Sequence, residues 1–565
     1  MGIFFIILAA IAFVAFLAWF LYTKSARRCP ICALKKIAIP RKITIDTSDF
    51  ADYAAPLDKP VMGWSSWNTF AQTINEDLIL ETAEAMKASG LADIGYCYVN
   101  IDDCWQSSLR DINGRLQTDF TTFPSGMPAL IEKINALGLK VGLYTSNGTL
   151  TCEDLPASLG REDSDAASLA EWGAEFFKYD FCHNHLDSGI APPIEYLEFS
   201  QKGEKPFACI TPDDVQYSGM GKTVKEKKLK SGKAMGFLSY GSGKAAFTLT
   251  APASGEYIVT VGYRKRKVSK PPYLLIKTDS DYCEVLFPKA RAFTPFGRVQ
   301  AVIKLQQGEN RIELSNPIVN RSDAAFLQYA RMGKALQKAT EGKKPIVFSI
   351  CEWGFNRPYF WGAKAGNMWR TTPDIRATWS SILHIYAHNV RLWEYASQGH
   401  FNDPDMLEVG NGMLTDEENK SHFSLWCMMA APLVLGNDIR AFVNAEGTPN
   451  TSNRTLQIVS NKALVDIDGD SLAKPAKRIK KGTVDILARP LENGDVAVCF
   501  FNKRGGTKKA AFDLKQLLKD DYFGLQQVTA FDSQELWTGD RLSGDTLTVS
   551  VPKHGVKVFQ VHCQK

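Results

Sequence analysis

Carboxylates, basic residues and aromatic residues recur where apolar segments end along this chain of 565 residues. They are Trp67, Asp102, Asp103, Tyr144, Lys178, Asp180, Glu352, Arg370, Asp374 and Asp405. Carboxylates accept hydrogen bonds from several sugar hydroxyls at once, and aromatic rings cover the apolar faces of sugar rings. Hydrolysis of a glycosidic bond needs two carboxyl groups across the scissile bond and no cofactor. These residue types therefore favour a site that acts on carbohydrate.

Each of these motifs also has an ordinary structural explanation. The pair Asp102-Asp103 is typical of a turn or a helix cap. Lys178 and Asp180, in the segment "EFFKYDFC", have the spacing of an ion pair on one face of a strand. The recurrence at successive segment ends favours the functional interpretation, because isolated caps and ion pairs predict no such periodicity.

A regular alternation of strands and helices is predicted to position these residues. Segments such as "KVGLYTS" and "EFFKYD" predict strands, and "NEDLILETAEAMKASGL" predicts a helix with an Asn cap and an acidic first turn. Repeated units of this length predict an α/β fold, a parallel (β/α)8 barrel of the TIM type, over residues 56–199 and 324–455. Barrel enzymes carry their active sites at the carboxyl ends of the strands, where the polar residues fall.

Two all-β regions accompany the predicted barrel. Residues 200–323 contain short alternating strands with Gly, Pro and Asn turns, which predict an inserted β-sandwich. The insert follows the strand that contains Asp180, so it leaves from a βα loop and is expected beside the active site. Residues 456–565 alternate again and predict a C-terminal antiparallel β domain.

The N-terminal segment has the composition of a transmembrane helix. Ile3–Tyr22 contains no charged residue and would extend over about 30 Å as a helix, the thickness of the hydrocarbon core of a bilayer. We predict an uncleaved anchor over residues 1–23, a linker over residues 24–55, and a barrel that faces away from the cytoplasm. The basic residues that follow the span favour the opposite orientation, so the cytoplasmic side stays open.

Composition and motifs argue against several other functions. The net charge of +5 is small for this length and gives no reason to expect nucleic acid. The sequence has no HExxH motif, no Walker loop and no GxGxxG after a strand, so no metal and no cofactor is expected. The densest basic run, "YRKRKVSK" (Tyr263–Lys270), predicts a solvated hairpin face. The sequence leaves open whether the chain forms a homo-oligomer.

Several segments together resemble the glycoside hydrolase family 27 α-galactosidases, the melibiases. In the order of that family they are "MGWSSWNTF", "VNIDDCW", "KYDFC", "SICEWG", "WRTTPDI" and "FNDPDMLEVGNG". The resemblance covers residues 56–565 apart from the insert. Within the insert, "FTLTAPASGEYIVTVGY" resembles carbohydrate-binding modules of the family 6 and 35 jelly-roll type. A purely structural lid or a dimer contact is the alternative for the insert.

The resemblance implies a role for each position. Asp180 matches the nucleophile of a retaining double displacement, and Asp374 matches the general acid/base. The substrate contacts that it implies are Trp67, Asp102, Asp103, Tyr144, Lys178, Glu352, Arg370 and Asp405. It also implies a disulfide between Cys152 and Cys182.

Charge and size add two expectations to these implied roles. Lys178 is expected to favour the ionised form of Asp180, as a nucleophile requires. Glu352 is expected to leave no room for an acetamide, which favours galactose over N-acetylgalactosamine. The predicted activity is a retaining α-galactosidase. The alternatives are an α-N-acetylgalactosaminidase, a β-L-arabinopyranosidase, and a non-catalytic membrane-tethered protein that binds carbohydrate.

Overall fold

The computed structural model describes residues 42–268, 270–288 and 295–564. In these ranges, no helix is both long enough and apolar enough to cross a bilayer. The predicted transmembrane segment Ile3–Tyr22 lies outside the described residues. The described chain forms two compact units, one with residues 50–184 and 329–564 and the other with residues 185–328 and the short segment that precedes residue 50.

The larger unit contains an eight-stranded parallel sheet. The first seven strands lie side by side in chain order, and the eighth pairs with the first. The strands are Met62–Ser65, Tyr98–Asn100, Lys140–Ser146, Phe176–Asp180, Val347–Cys351, Met368–Arg370, Phe401–Asp403 and Leu433–Leu435. Leu407, which follows the seventh strand, closes the sheet by pairing with the eighth. Its N donates to Val434 O (2.7 Å), and its O accepts from Gly436 N (3.0 Å). This arrangement fits the predicted barrel of the TIM type.

Helices alternate with the barrel strands as predicted. The α-helices in this part of the chain are Trp67–Phe70, Glu76–Ala88, Gly126–Ala136, Glu162–Trp172, Arg321–Ala339, Trp379–Asn389 and Asp416–Met428. Asn75 caps the second of them by accepting a hydrogen bond from Leu78 N, and Thr415 and Glu418 form a capping box. The 3-10 helices are Thr47–Asp49, Ala92–Ile94, Pro358–Phe360, Gly362–Lys364, Trp393–Tyr395, Ile439–Phe442, Leu514–Lys519 and Asp521–Phe523.

A layer of apolar side chains fills the barrel near the amino-terminal ends of its strands. It consists of Val61, Tyr98, Phe176, Val347, Met368, Phe401 and Val434, each on or next to a different strand. Burial of one such side chain stabilises the fold by about 1.5–3 kcal/mol. The layer leaves the carboxyl ends for polar residues, and the strand register there places Tyr144 beside Lys178 and Ser146 beside Asp180.

The C-terminal β domain begins later than predicted. Segments Arg454–Val459 and Lys462–Asp468 are helices, because the side chains of Asn453 and Asn461 accept hydrogen bonds from backbone N–H groups of their first turns. The antiparallel strands that follow are Lys477–Lys480, Val484–Pro490, Val496–Asn502, Lys508–Asp513, Ala530–Glu535, Arg541–Ser543, Thr546–Val551 and Val556–Gln564. The all-β character expected from residue 456 therefore starts only after these helices.

The smaller unit is a β-sandwich of two antiparallel sheets. The strands of one sheet are Gln216–Gly219, Gly243–Ala251, Tyr273–Lys277, Tyr282–Leu286 and Gly308–Ser315. The strands of the other are Ile194–Ser200, Ala208–Ile210, Lys222–Lys225, Lys233–Gly236, Gly255–Arg264 and Phe296–Leu305. Alternate residues such as Ala245, Phe247 and Leu249 point into the core between the sheets.

Candidate active site

A cavity of about 690 Å³ lies at the carboxyl ends of the barrel strands. Nine of the ten predicted site residues line it, namely Trp67, Asp102, Asp103, Tyr144, Lys178, Asp180, Arg370, Asp374 and Asp405. They come from segments far apart in the sequence and meet because parallel barrel strands all end at the same rim.

Asp180 ends the fourth barrel strand and is only 6% exposed. Its Oδ1 accepts a hydrogen bond from Phe181 N (2.7 Å), and Nζ of Lys178 lies 4.0 Å from its Oδ2. Burial raises the pKa of Asp180 to about 6, although the charge of Lys178 and the Phe181 N–H act to lower that pKa. The charge of Lys178 favours the ionised form of Asp180, as the sequence led us to expect, but the effect of burial is larger. With a pKa of about 6, the carboxyl is still mostly ionised at neutral pH.

Lys178 pairs most closely with a residue that follows the second barrel strand. Its Nζ lies 2.7 Å from Oδ2 of Asp102 and 5.2 Å from the centroid of the Tyr144 ring. Burial alone would lower the pKa of this amine, but the charges of Asp102 and Asp180 outweigh it and raise the pKa above its usual value. Lys178 is thus a permanent cation between two carboxylates.

The two adjacent carboxylates Asp102 and Asp103 cap a turn and also line the cavity. One oxygen of each accepts the N–H of the next residue, at 2.9 Å for Asp102 and 2.8 Å for Asp103. The second oxygen of Asp103 accepts Glu153 N (3.0 Å). Burial raises the pKa of Asp103 to about 7, and the charge of Asp102 adds to this shift. The ordinary and the functional interpretations of this pair are thus compatible.

Arg370 connects two further carboxylates. Its Nη2 lies 2.6 Å from Oδ2 of Asp405 and 3.3 Å from Oδ1 of Asp374. Arg370 and Asp405 are buried, whereas the side chain of Asp374 is 57% exposed. Arg370 therefore orients an accessible carboxyl at the mouth of the cavity, where it can exchange a proton with water.

Glu352 does not line the cavity. Its Oε2 accepts hydrogen bonds from N and Nδ2 of Asn356, each at 2.8 Å. The strand ends at Cys351, and the left-handed backbone of Trp353 (φ 61°) turns the chain so that Trp353 lines the cavity instead. The predicted sugar contact of Glu352 and the size argument that rests on it therefore stay predictions.

Several lining residues were not predicted, namely Asn68, Glu153, Trp353, Arg376, Glu408 and Asn411. Glu408 is buried and accepts hydrogen bonds from Nδ2 of Asn68 (2.7 Å) and Nδ2 of Asn411 (2.6 Å). Burial raises its pKa to about 7. The only sequence signal for Glu408 and Asn411 is their place in the segment "FNDPDMLEVGNG", directly after Asp405.

The predicted disulfide between Cys152 and Cys182 is present, and Cys152 lines the cavity. Both sulfurs lie within 4.8 Å of a carboxylate oxygen of Asp180. A disulfide offers no thiolate to a metal ion. This cluster therefore holds the segment after the fourth strand in place and is not a metal site.

Family models match both parts of the larger unit. A model described as alpha galactosidase A matches residues 59–201 and 310–470, more than half of the chain. A model described as the alpha galactosidase C-terminal beta sandwich domain matches residues 481–561. Neither match extends over residues 202–309.

Individual proteins show the same similarity. Alpha-galactosidase A of Cellvibrio japonicus is 31% identical over 522 residues, which cover 89% of this chain and 91% of that protein. Alpha-galactosidase of Cyamopsis tetragonoloba is 29% identical over 505 residues, covering 88% and 85%. The crystal structure of alpha-galactosidase I from Mortierella vinacea superposes with a TM-score of 0.62 at 25% identity, covering 90% and 98%. The chain therefore belongs to the alpha galactosidase A family of glycoside hydrolases.

Proposed function

We propose that the protein hydrolyses terminal α-linked galactose from oligosaccharides, polysaccharides or glycoconjugates and retains the anomeric configuration. The observation that carries this proposal is one cavity that holds a buried, mostly ionised Asp180 and an exposed Asp374. A nucleophile must be ionised, and an acid/base must exchange protons with the leaving group and water. Membership of the alpha galactosidase A family supports the same reaction.

Two displacements account for the proposed reaction. In the first, Asp180 attacks the anomeric carbon, the glycosidic bond breaks, and Asp374 gives its proton to the departing oxygen. In the second, Asp374 takes a proton from water, and the water oxygen displaces Asp180. Arg370 holds Asp374 towards the cavity during both steps, and Lys178 balances the charge that returns to Asp180.

The proposed selectivity for galactose rests on carboxylate and aromatic side chains that line the cavity. Asp102 and Asp103 offer carboxylate oxygens to the 4- and 6-hydroxyls, as the family resemblance implies, which favours a sugar with a 6-hydroxyl over arabinopyranose. Trp353, which follows Glu352 on the same loop, supplies an aromatic side chain to the lining of the cavity.

A panel of three nitrophenyl glycosides tests this proposal. We expect kcat/KM for the α-galactoside to exceed that for the α-N-acetylgalactosaminide and the β-L-arabinopyranoside by at least about 10²-fold, since unpaired polar groups penalise the wrong sugar strongly. A preference for either of the other two sugars would contradict the assignment. Failure to hydrolyse any of the three would favour the non-catalytic alternative.

We further propose that residues 1–23 anchor the protein in a membrane and that the barrel faces away from the cytoplasm. The uncharged length of Ile3–Tyr22 supports the anchor, and the Cys152–Cys182 disulfide supports an oxidising compartment. We expect the protein to stay in the pellet when membranes of its native host are extracted with alkaline carbonate. We also expect protease added to the extracytoplasmic side to digest it. Release by carbonate, or protection from the protease, would contradict the proposal.

A further inference from the structure

The inserted sandwich contains a second cavity, of about 580 Å³. Its lining includes the aromatic residues Phe237 and Tyr240 and the basic residues Arg264, Lys265 and Arg266. Of the cavity-lining residues that the structure describes, none is acidic. The basic run "YRKRKVSK" therefore converges on a cavity and is not simply the solvated hairpin face that the sequence predicted.

Two large aromatic side chains are presented to solvent at this cavity. Phe237 is 48% exposed and Tyr240 is 54% exposed, although both are large enough to stabilise the fold by burial. Both have left-handed backbones, with φ of 60° and 55°. Such conformations are unfavourable for residues with a Cβ and occur often at ligand-binding positions.

The turn that carries these rings is fixed by backbone hydrogen bonds. Tyr240 N donates to Gly189 O (2.7 Å), Gly241 N donates to Asn316 O (2.7 Å), and Asn316 N donates to Leu238 O (2.8 Å). The backbone that carries both rings is thus fixed before any ligand arrives, which reduces the entropy lost on binding.

Positive charge exceeds negative charge around the cavity. Glu226 pairs with two guanidinium groups, with Nε of Arg264 at 3.3 Å and Nη2 of Arg266 at 2.8 Å. One carboxylate thus faces two cations, and the Arg266 side chain keeps 58% of its surface exposed. Nζ of Lys222 lies 4.6 Å from the centroid of the Phe237 ring and adds a further cation.

We infer that this cavity binds an acidic oligosaccharide, a segment of a uronic acid polymer. In this arrangement Phe237 and Tyr240 cover the apolar faces of sugar rings, and Arg266 with Lys265 attracts the sugar carboxylates. The inference rests on the proposed function in one respect, that the substrate of the enzyme is part of a glycan. The insert would then hold the barrel on a polymer that carries galactose among acidic sugars.

Affinity electrophoresis of the full-length protein tests the inference. We expect polygalacturonate in the gel to retard the wild-type protein and a neutral galactan to retard it much less, with the retardation weakened by added salt. Tyr240→Gly should raise the dissociation constant for polygalacturonate at least about 10-fold, since it deletes a stacking ring. Arg266→Gln should raise it about 5-fold.

Matched controls separate binding from folding. Phe207→Ala removes another exposed aromatic residue of the sandwich, and Arg311→Gln removes another exposed cation, neither of them at the cavity. Both controls should keep the wild-type retardation. All four variants should keep wild-type turnover of nitrophenyl α-galactoside, because none of these residues lines the barrel cavity.

Several results would overturn the inference. They are no retardation of the wild-type protein by polygalacturonate, equal retardation by neutral galactan or by DNA, and unchanged binding in the Tyr240→Gly and Arg266→Gln variants. If Tyr240→Gly and Arg266→Gln lose turnover of nitrophenyl α-galactoside together with binding, the cause is a damaged fold. That result would also overturn the inference. A wild-type protein that binds polygalacturonate but hydrolyses no galactoside would instead contradict the proposed function alone.

Discussion

Replacement of Asp180 by asparagine is expected to abolish turnover and to leave the fold at least as stable as the wild type. The amide cannot form the glycosyl–enzyme bond, so kcat should fall by at least about 10³-fold. The position of Asp180 in the cavity, 4.0 Å from Nζ of Lys178, is the structural basis for this expectation. Activity on nitrophenyl α-galactoside checks it, and wild-type turnover in the variant would contradict it.

The stability of this variant follows from the raised pKa of Asp180. An acid whose pKa is about 6 in the folded state, against an ordinary value of 3.8, destabilises the fold by roughly 3 kcal/mol above pH 6. This cost diminishes as the pH falls through 6 towards 4, because the carboxyl becomes protonated in the folded state first. Asparagine carries no charge, so the midpoint of thermal unfolding at pH 7.5 should not fall.

Asp165→Asn is a matched control for Asp180→Asn. Asp165 is also buried, but it accepts hydrogen bonds from both terminal nitrogens of Arg110, each at 2.7 Å, and does not line the cavity. Its loss leaves Arg110 without that carboxylate and should destabilise the fold by about 3 kcal/mol while kcat stays near the wild-type value. The two substitutions should therefore affect activity and stability in opposite ways.

Replacement of Lys178 by methionine is expected to have the second largest effect. Methionine is of similar length but uncharged, so the carboxylates of Asp102 and Asp180 lose the cation that lies 2.7 Å and 4.0 Å from them. The negative charge of Asp102 then raises the pKa of Asp180 with no lysine to oppose it. We expect kcat/KM to fall by about 10²–10³-fold.

The pH dependence of kcat/KM distinguishes this effect from simple misfolding. In the wild-type enzyme the acidic limb should lie near pH 6, because Asp180 must be ionised to attack. In Lys178→Met the limb should move to higher pH. Lys133→Met removes a lysine from a different ion pair, with Glu76 at 2.8 Å, and should leave the limb in place. An unchanged limb in Lys178→Met would show that Lys178 does not tune the nucleophile.

Most of the site could be predicted because barrel strands impose a simple geometry. Polar residues that end parallel strands share one rim, so residue types at strand ends were enough to bring Asp102, Lys178, Asp180 and Arg370 together. The family segments then assigned roles that the strand pattern alone left open.

Two features that the strand pattern did not indicate lie at or beyond the ends of strands. Glu352 follows the last residue of the fifth strand, and the left-handed backbone at Trp353 breaks the alternation on which its orientation depended. The closest partner of Lys178 is Asp102, although Asp180 is only two residues away. Asp102 follows the second strand, which is separated from the fourth by the third. Side chains that converge in the interior of a barrel meet across it, which sequence separation does not show.

Local capping and burial explain the remaining differences. The Asn residues at 453 and 461 start two helices where the alternation from residue 456 suggested strands. The balance between the burial of Asp180 and its attraction to Lys178 depends on how much solvent the cavity admits, which the sequence does not specify. The cavity of the insert could not be predicted because it forms where the turn from Phe237 to Tyr240 lies near the end of a strand at Arg264. These two segments are distant in the sequence.

The configuration of the first sugar released tests the central claim most directly. A proton NMR time course of nitrophenyl α-galactoside hydrolysis by the wild-type enzyme distinguishes the two anomers before they interconvert. Two displacements by Asp180 and then water predict that α-galactose appears first and that the β-anomer follows only by mutarotation. β-Galactose as the first product would contradict the assignment of Asp180 as a nucleophile and with it the proposed mechanism.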